Sequence, residues 1–194
     1  MPAELYPEMA LAVEARRTSL FAGARPGGPD TIGPMHVRPT TSSDRGLLER
    51  LLVEAFNWNG QVRVTLDEVR TEPTHAHHLH GWQLQTDLGI VAQTDDGVPM
   101  GAAWARVVPA AEAGYGFVAE DVPELGMAVL APYRGRGIGG ELLDACIEQL
   151  RAAGHASVSL SVEDGNTTAR RLYESRGFRP VGRVGGSDVL QLTF

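Results

Sequence analysis

Two ligand signatures share one stretch of this chain. In PYRGRGIGGELL, Pro132 to Leu143, the residues Gly135, Gly137 and Gly140 spell G-x-G-x-x-G, while Arg134, Gly137 and Gly139 spell R-x-x-G-x-G. Either pattern can hold a pyrophosphate for the same reason. Residues without Cβ let the backbone approach the oxygens, N–H groups converge on them, and a helix that starts there adds the positive end of its dipole. The first spelling belongs to dinucleotide sites and hydride transfer, the second to the pyrophosphate of coenzyme A and acyl transfer. Other residues able to do chemistry are Tyr173, a weak acid, the carboxylates Glu120, Asp121, Glu124 and Glu163, and the imidazoles of THAHHLHGW, His75, His77, His78 and His80. Three neutral imidazoles can ligate zinc, but this spacing matches neither an i, i+4 helical pair with a glutamate nor a finger.

The elements around the glycines discriminate between the two spellings. ELGMAVL reads as a buried strand before the loop, and Leu142, Leu143, Cys146, Ile147 and Leu150 form the apolar stripe of a helix after it, with Gly154 at its C-terminal cap. A dinucleotide site wants its first glycine directly after the strand, yet Ala131 to Arg134 intervene, and only 54 residues follow Gly140. That is too little chain for a doubly wound sheet, although Glu163 at the end of SVSLSV does match the acidic residue such a site expects. Without G-x-x-x-x-G-K-[ST], a P-loop is excluded.

Upstream, MHVRP alternates like a half-buried strand, and Leu47, Leu48, Leu51, Leu52, Ala55 and Phe56 share one helical face. Thr65 with Glu68 predicts a capping box for a second helix, which Pro73 should stop. LGIVAQ and VPMGAAWARVV flank Asp96-Gly97 as a hairpin. SVSLSV is a further strand, NTTARRLYESR a helix capped by Asn166, and FRPVGR and VLQLTF are closing strands. The predicted order from Met35 is β-α-α-β-β-β-α-β-α-β-β, a mixed domain rather than an all-parallel one.

A chain of 194 residues, 43% hydrophobic, suits one domain and is short for two. Its formal net charge of -7 argues against a sequence-independent grip on nucleic-acid phosphates. Cys146 alone cannot make an internal disulfide, and no apolar run approaches a membrane span. The expectation is a reducing, cytoplasmic setting with no nucleic-acid and no membrane partner. Residues 1–34 read as an N-terminal extension, ending in a Gly/Pro-rich linker from Ala22 to Pro34, and the compact domain as 35–194. Arg16-Arg17 superficially matches a twin-arginine export signal, but no adequate apolar stretch follows it.

Joined to N-x-x-A-x-x-L-Y-x-x-x-G-F at Asn166, Ala169, Leu172, Tyr173, Gly177 and Phe178, the R-x-x-G-x-G loop becomes specific. PELGMAVLAPYRGRGIGGELL and SLSVEDGNTTARRLYESRGF together resemble the GNAT superfamily of acyl-coenzyme A N-acyltransferases, in order and spacing from Met35 to Phe194 and in specific motifs from Pro123 to Phe178. The resemblance implies an α/β (α+β) fold: a single domain with a mixed, mostly antiparallel sheet splayed at the cofactor strand and about four flanking helices. It implies that Met127, Ala128 and Val129 pair with the pantetheine arm. Arg134, Gly135, Arg136, Gly137, Ile138, Gly139 and Gly140 would wrap the pyrophosphate, and Asn166 would touch the arm. Tyr173 matches the tyrosine that protonates the departing thiolate. Glu124 is the expected proton acceptor, acting through water, with Asp121, Glu120 and Glu163 as substitutes. No metal is implied; the histidines become a loop beside the acceptor cleft, and Trp82 and Trp104 core or cleft lining. The expected function is transfer of the acetyl group of acetyl-coenzyme A to an amine by direct attack, the acidic surface slightly favouring a cationic small molecule or basic peptide terminus. A homodimer stays open. So do two other readings, a non-catalytic acyl-coenzyme A sensor and a small nucleotide-binding oxidoreductase.

Overall fold

The computed structural model describes residues 35–82 and 86–194, so the expected extension at 1–34 lies outside the described residues. Along the chain come β1 (Met35–Pro39), α1 (Arg45–Phe56), α2 (Leu66–Thr71), α3 (Pro73–Ala76), β2 (Leu88–Thr94), β3 (Pro99–Arg106), β4 (Glu124–Val129), α4 (Ile138–Ala152), β5 (Ser157–Glu163), α5 (Thr167–Ser175), β6 (Arg179–Val184) and β7 (Ser187–Thr193). The Thr65–Glu68 capping box forms as expected: the Glu68 N–H donates to Thr65 Oγ1 at 3.3 Å, and the Thr65 N–H to Glu68 Oε2 at 2.8 Å. Pro73 does end α2, but it also opens the extra turn α3. Proline is tolerated at the first helical position because its missing N–H would be unpaired there anyway.

The strands form one sheet in the order β1-β2-β3-β4-β5-β7-β6. Among the described residues β4–β5 is the one parallel pair; the others are antiparallel. A doubly wound sheet needs consecutive parallel strands, so the oxidoreductase reading falls.

Both faces of the central strands are covered, which is why β2 and β3 read as continuous apolar runs. On one face Leu48, Leu51 and Leu52 of α1 pack with Val91, Ala102, Trp104 and Ala128. On the other, Leu142, Leu143, Cys146 and Leu150 of α4 pack with Ile90, Ala103, Leu125, Leu160 and Phe178. Alternation along β4 therefore sends Leu125, Met127 and Val129 toward α4, and Ala128 toward α1. Gly126 lies under Trp104, where a Cβ would come within 2.7 Å of the indole. Trp104 and Trp82, at 1% and 8% exposed, are both core.

Candidate active site

β4 pairs with β3 along its whole length, from Glu124↔Arg106 to Val129↔Gly101, but with β5 only at Glu124↔Ser159. The Ser159 N–H bonds the Pro123 carbonyl at 3.0 Å, while the Leu130 N–H bonds Met100 of β3 at 2.9 Å. Backbone groups alternate sides along a strand, so those of Leu125, Met127 and Val129 face the β5 side, where the pairing has stopped. The expected splay is present, beginning directly after Glu124. An extended ligand can pair with that edge as an added strand.

The glycine-rich loop sits at the outer end of this opening. Gly135 and Gly137 hold φ of 74° and 84°, and Gly137 is the N-cap of α4. The left-handed conformation lets the chain turn from β4 into α4 and leaves the first N–H groups of the helix without helical partners. Nothing lies within 4 Å of a Cβ built on either residue, so the loop's face is open. Gly139 is different: a Cβ there would meet Leu172 at 3.5 Å, Met127 at 3.7 Å and Val129 at 3.8 Å. Loop, β4 and α5 thus converge at one point. Arg134 is anchored beside it, its Nε donating to the Val129 carbonyl at 2.9 Å and its Nη2 to Glu54 at 2.7 Å.

Asn166 caps α5, its Oδ1 accepting the Ala169 N–H at 3.2 Å. About two helical turns further, Tyr173 is buried, packed against Phe178 with ring centroids 5.8 Å apart. Burial pushes its phenol up to about 12, which keeps it protonated at any working pH.

At the inner end of β4, Glu124 is 4% exposed. Its Oε1 accepts the Gly116 N–H at 2.8 Å, and its Oε2 has no hydrogen-bond partner among the described residues. Burial raises its carboxyl above the usual range, outweighing that hydrogen bond. The alternative carboxylates are placed otherwise. Glu163 is held by Trp58 Nε1 at 2.6 Å and by Arg63 at 2.5 Å, and the Arg63 bond lowers its pKa. Glu120 accepts the Ala110 N–H at 2.9 Å on the surface, and Asp121 is exposed.

The turn after α3 brings His77 and His78 to Glu124, a contact not anticipated from the sequence. Arg106, buried at the end of β3, holds that turn in place by donating to the carbonyls of His77 and His80 at 3.0 and 2.8 Å, and it pairs with buried Asp87 at 3.3 Å. Burial lowers the pKa of His77, with the Arg106 charge adding to the effect against the Pro73 hydrogen bond, and lowers that of His78 well below its ordinary value, so burial favours the neutral form of both imidazoles. Gly114 and Gly116 complete the enclosure. Two glycines around one aromatic in AGYGF were the available signal of a close backbone approach.

A sheet opened beyond its one parallel contact, with a glycine-rich helix start beside the gap, defines a fold class that holds an extended, phosphate-bearing ligand between two strands. A model of the acetyltransferase (GNAT) family matches residues 65–178. The PaiA N-acetyltransferase of Thermoplasma acidophilum, solved in complex with coenzyme A, superposes with a TM-score of 0.62 at 15% identity, covering 82% of this chain and 99% of that one. Among curated proteins, the mycothiol acetyltransferase of Beutenbergia cavernae is 33% identical over 121 residues, 62% of this chain and 36% of that protein. The [ribosomal protein bS18]-alanine N-acetyltransferase of Haemophilus ducreyi is 38% identical over 55 residues, 28% of this chain and 38% of that protein. This chain belongs to the GNAT acetyltransferase family. It spans half or less of the length of the curated relatives it matches.

Proposed function

We propose that this protein transfers the acetyl group of acetyl-coenzyme A to an acceptor amine by direct attack. The observation that carries the reading is the single-residue contact between β4 and β5, with the glycine-rich start of α4 at the mouth of the opening. Met127 and Val129 turn their backbone groups to the opening and present the edge for the pantetheine arm, while Ala128 between them faces β3. The loop from Arg134 to Gly140, with Gly135, Arg136, Gly137, Ile138 and Gly139 between, presents N–H groups to the pyrophosphate, with the Arg136 guanidinium and that of Arg134, paired with Glu54, at its side, and Asn166 borders the arm. In the transfer a C–N bond forms at the thioester carbon and the C–S bond breaks. Glu124 takes the proton released by the amine, through water, and Tyr173 offers its O–H to the thiolate as charge develops on sulfur.

Relatives are named for mycothiol and for the alanine of a ribosomal protein, two different acceptors, so the acceptor proposed for this chain is an amine, with the net charge of -7 favouring a cationic one. A reducing, cytoplasmic setting suits the single cysteine: Cys146 is buried on α4, and burial pushes its thiol up to about 12, leaving it as packing. Among the described residues no helix is long and apolar enough to cross a membrane.

The test is a screen of polyamines, amino sugars and peptide N-termini for release of free thiol from acetyl-coenzyme A. Turnover with an amine, lost in Tyr173→Phe, supports the reading. Saturable binding of acetyl-coenzyme A with no turnover for any amine would identify a sensor instead.

A further inference from the structure

Three lone-pair donors meet beside Gly114, more than proton transfer requires. One ligand atom each from His77, His78 and Glu124 lies within 4.8 Å of the other two. His77 and Glu124 are 6% and 4% exposed, and His77 Nε2 and Glu124 Oε2 both lack a hydrogen-bond partner among the described residues. The Nδ1 of His77 faces the Pro73 carbonyl at 3.4 Å, the arrangement that places the ring proton on Nδ1 and leaves Nε2 as a bare lone pair. The two rings lie with centroids 3.9 Å apart, on a turn that Arg106 fixes. Burying acceptors against one another is unfavourable unless something positive stands between them. A water can donate to only two of them.

The interstice exists because residue 114 is glycine. A Cβ there would fall 2.3 Å from His77 Nε2 and 2.5 Å from Glu124 Oε2. Two neutral imidazoles and a carboxylate form a donor set that suits zinc with one coordination position left over. We infer that His77, His78 and Glu124 bind one divalent transition-metal ion of the zinc type. Ligand distances of about 2.1 Å put tetrahedral donors roughly 3.4 Å apart, so closing from 4.8 Å takes side-chain rotation and no change of fold. The spacing of the histidines alone gave no such set, because its third ligand comes from β4, 46 residues beyond His78. An ion held there occupies the carboxylate, so it inhibits acetyl transfer. That consequence, unlike the site, rests on the reading of Glu124 as proton acceptor.

The experiment uses the full chain stripped with a chelator, titrated with Zn²⁺ against a chromophoric competitor and with Co²⁺ by visible absorption. One equivalent binds at micromolar concentration or tighter, and Co²⁺ gives the d–d bands of a four-coordinate site. His77→Gln, His78→Gln and Gly114→Ala each weaken binding by about 100-fold or more, whereas His75→Gln and His80→Gln, in the same cluster, change it less than about threefold. Melting of each variant is recorded without metal, and Gly114→Ala keeps every ligand, so it decides if a ligand variant does not fold. Absence of a saturable equivalent, or an equal loss in His75→Gln, overturns the site. Binding without inhibition leaves the site standing and removes Glu124 as the base. Inhibition-free catalysis that depends on Glu124, with no Zn²⁺ bound, does the reverse.

Discussion

Tyr173 keeps its proton more firmly than a free phenol does. With its pKa at about 12 against roughly 8.5 for a thiol, complete transfer to sulfur is uphill in the unliganded site, so its contribution is a hydrogen bond to the developing thiolate. Tyr173→Phe keeps the ring against Phe178 and removes only that donor. Steady-state kinetics should show kcat down by about 10²-fold, the range of a positioned acid, with acetyl-coenzyme A affinity nearly unchanged. Unchanged kcat would leave Tyr173 as core packing. Glu124→Gln should be assayed with a chelator present, so that bound metal plays no part. Its loss in kcat/KM should be greatest near neutral pH and should shrink as pH rises, because more of the amine then arrives already deprotonated. A defect constant across pH would argue that Glu124 shapes the site and takes no proton. Its place at the start of the cofactor strand was legible in the sequence. Its surroundings were not, since AGYGF signals a close backbone approach without saying what it approaches, and His77 reaches Glu124 through a tertiary contact that no local pattern encodes.

At the scale of elements, legibility followed locality. The apolar stripes of α1 and α4, the Thr65–Glu68 capping box and the hairpin turn at Asp96-Gly97 depend on residues within one or two turns of each other, and all of them form. The second role of Pro73 depends on where the following chain packs. The entry to α1 shows the same contrast. Polar TTSSD promises a cap, but only the structure shows that Asp44 is tied to Arg38 of β1 by bonds of 2.7 and 2.8 Å while accepting the Thr41 N–H at 2.7 Å. The Arg38 bond, then the Thr41 bonds, lower the Asp44 pKa in the fold against the effect of burial. A depressed folded pKa contributes stability above the unfolded value of about 3.9, and that contribution is lost as pH falls through the lower folded value. Asp44→Asn should therefore cost about 1–3 kcal/mol by urea denaturation near pH 7. The difference from the parent chain should narrow in acid, where the parent carboxyl is protonated too. An equal difference at both pH values would mean that the charge is not what matters there.

For the whole molecule, the described sheet begins at Met35, whose strand pairs with β2 from its first residue, Met35↔Thr94. A chain starting at Met35 should bind acetyl-coenzyme A as tightly as the full chain and melt within a few degrees of it; a loss of several kcal/mol would show that residues 1–34 pack on the domain or on a partner. The α/β order followed from the sequence and the mostly antiparallel, splayed sheet from the family resemblance, but that β4 and β5 form the one parallel pair among the described residues, and part after a single residue, is a property of the assembled sheet. The account depends on that opening and on the loop at its mouth. Isothermal titration of acetyl-coenzyme A into the parent chain and into Gly137→Asp tests it most directly. Residue 137 has open space around it, so the substitution strains one exposed turn, and it sets a negative charge at the start of α4 where the pyrophosphate is proposed to lie. The predicted result is one site in the parent chain and an affinity at least about tenfold weaker in Gly137→Asp, with most of the melting temperature retained. No binding to the parent chain, or equal affinity in the two, would contradict it.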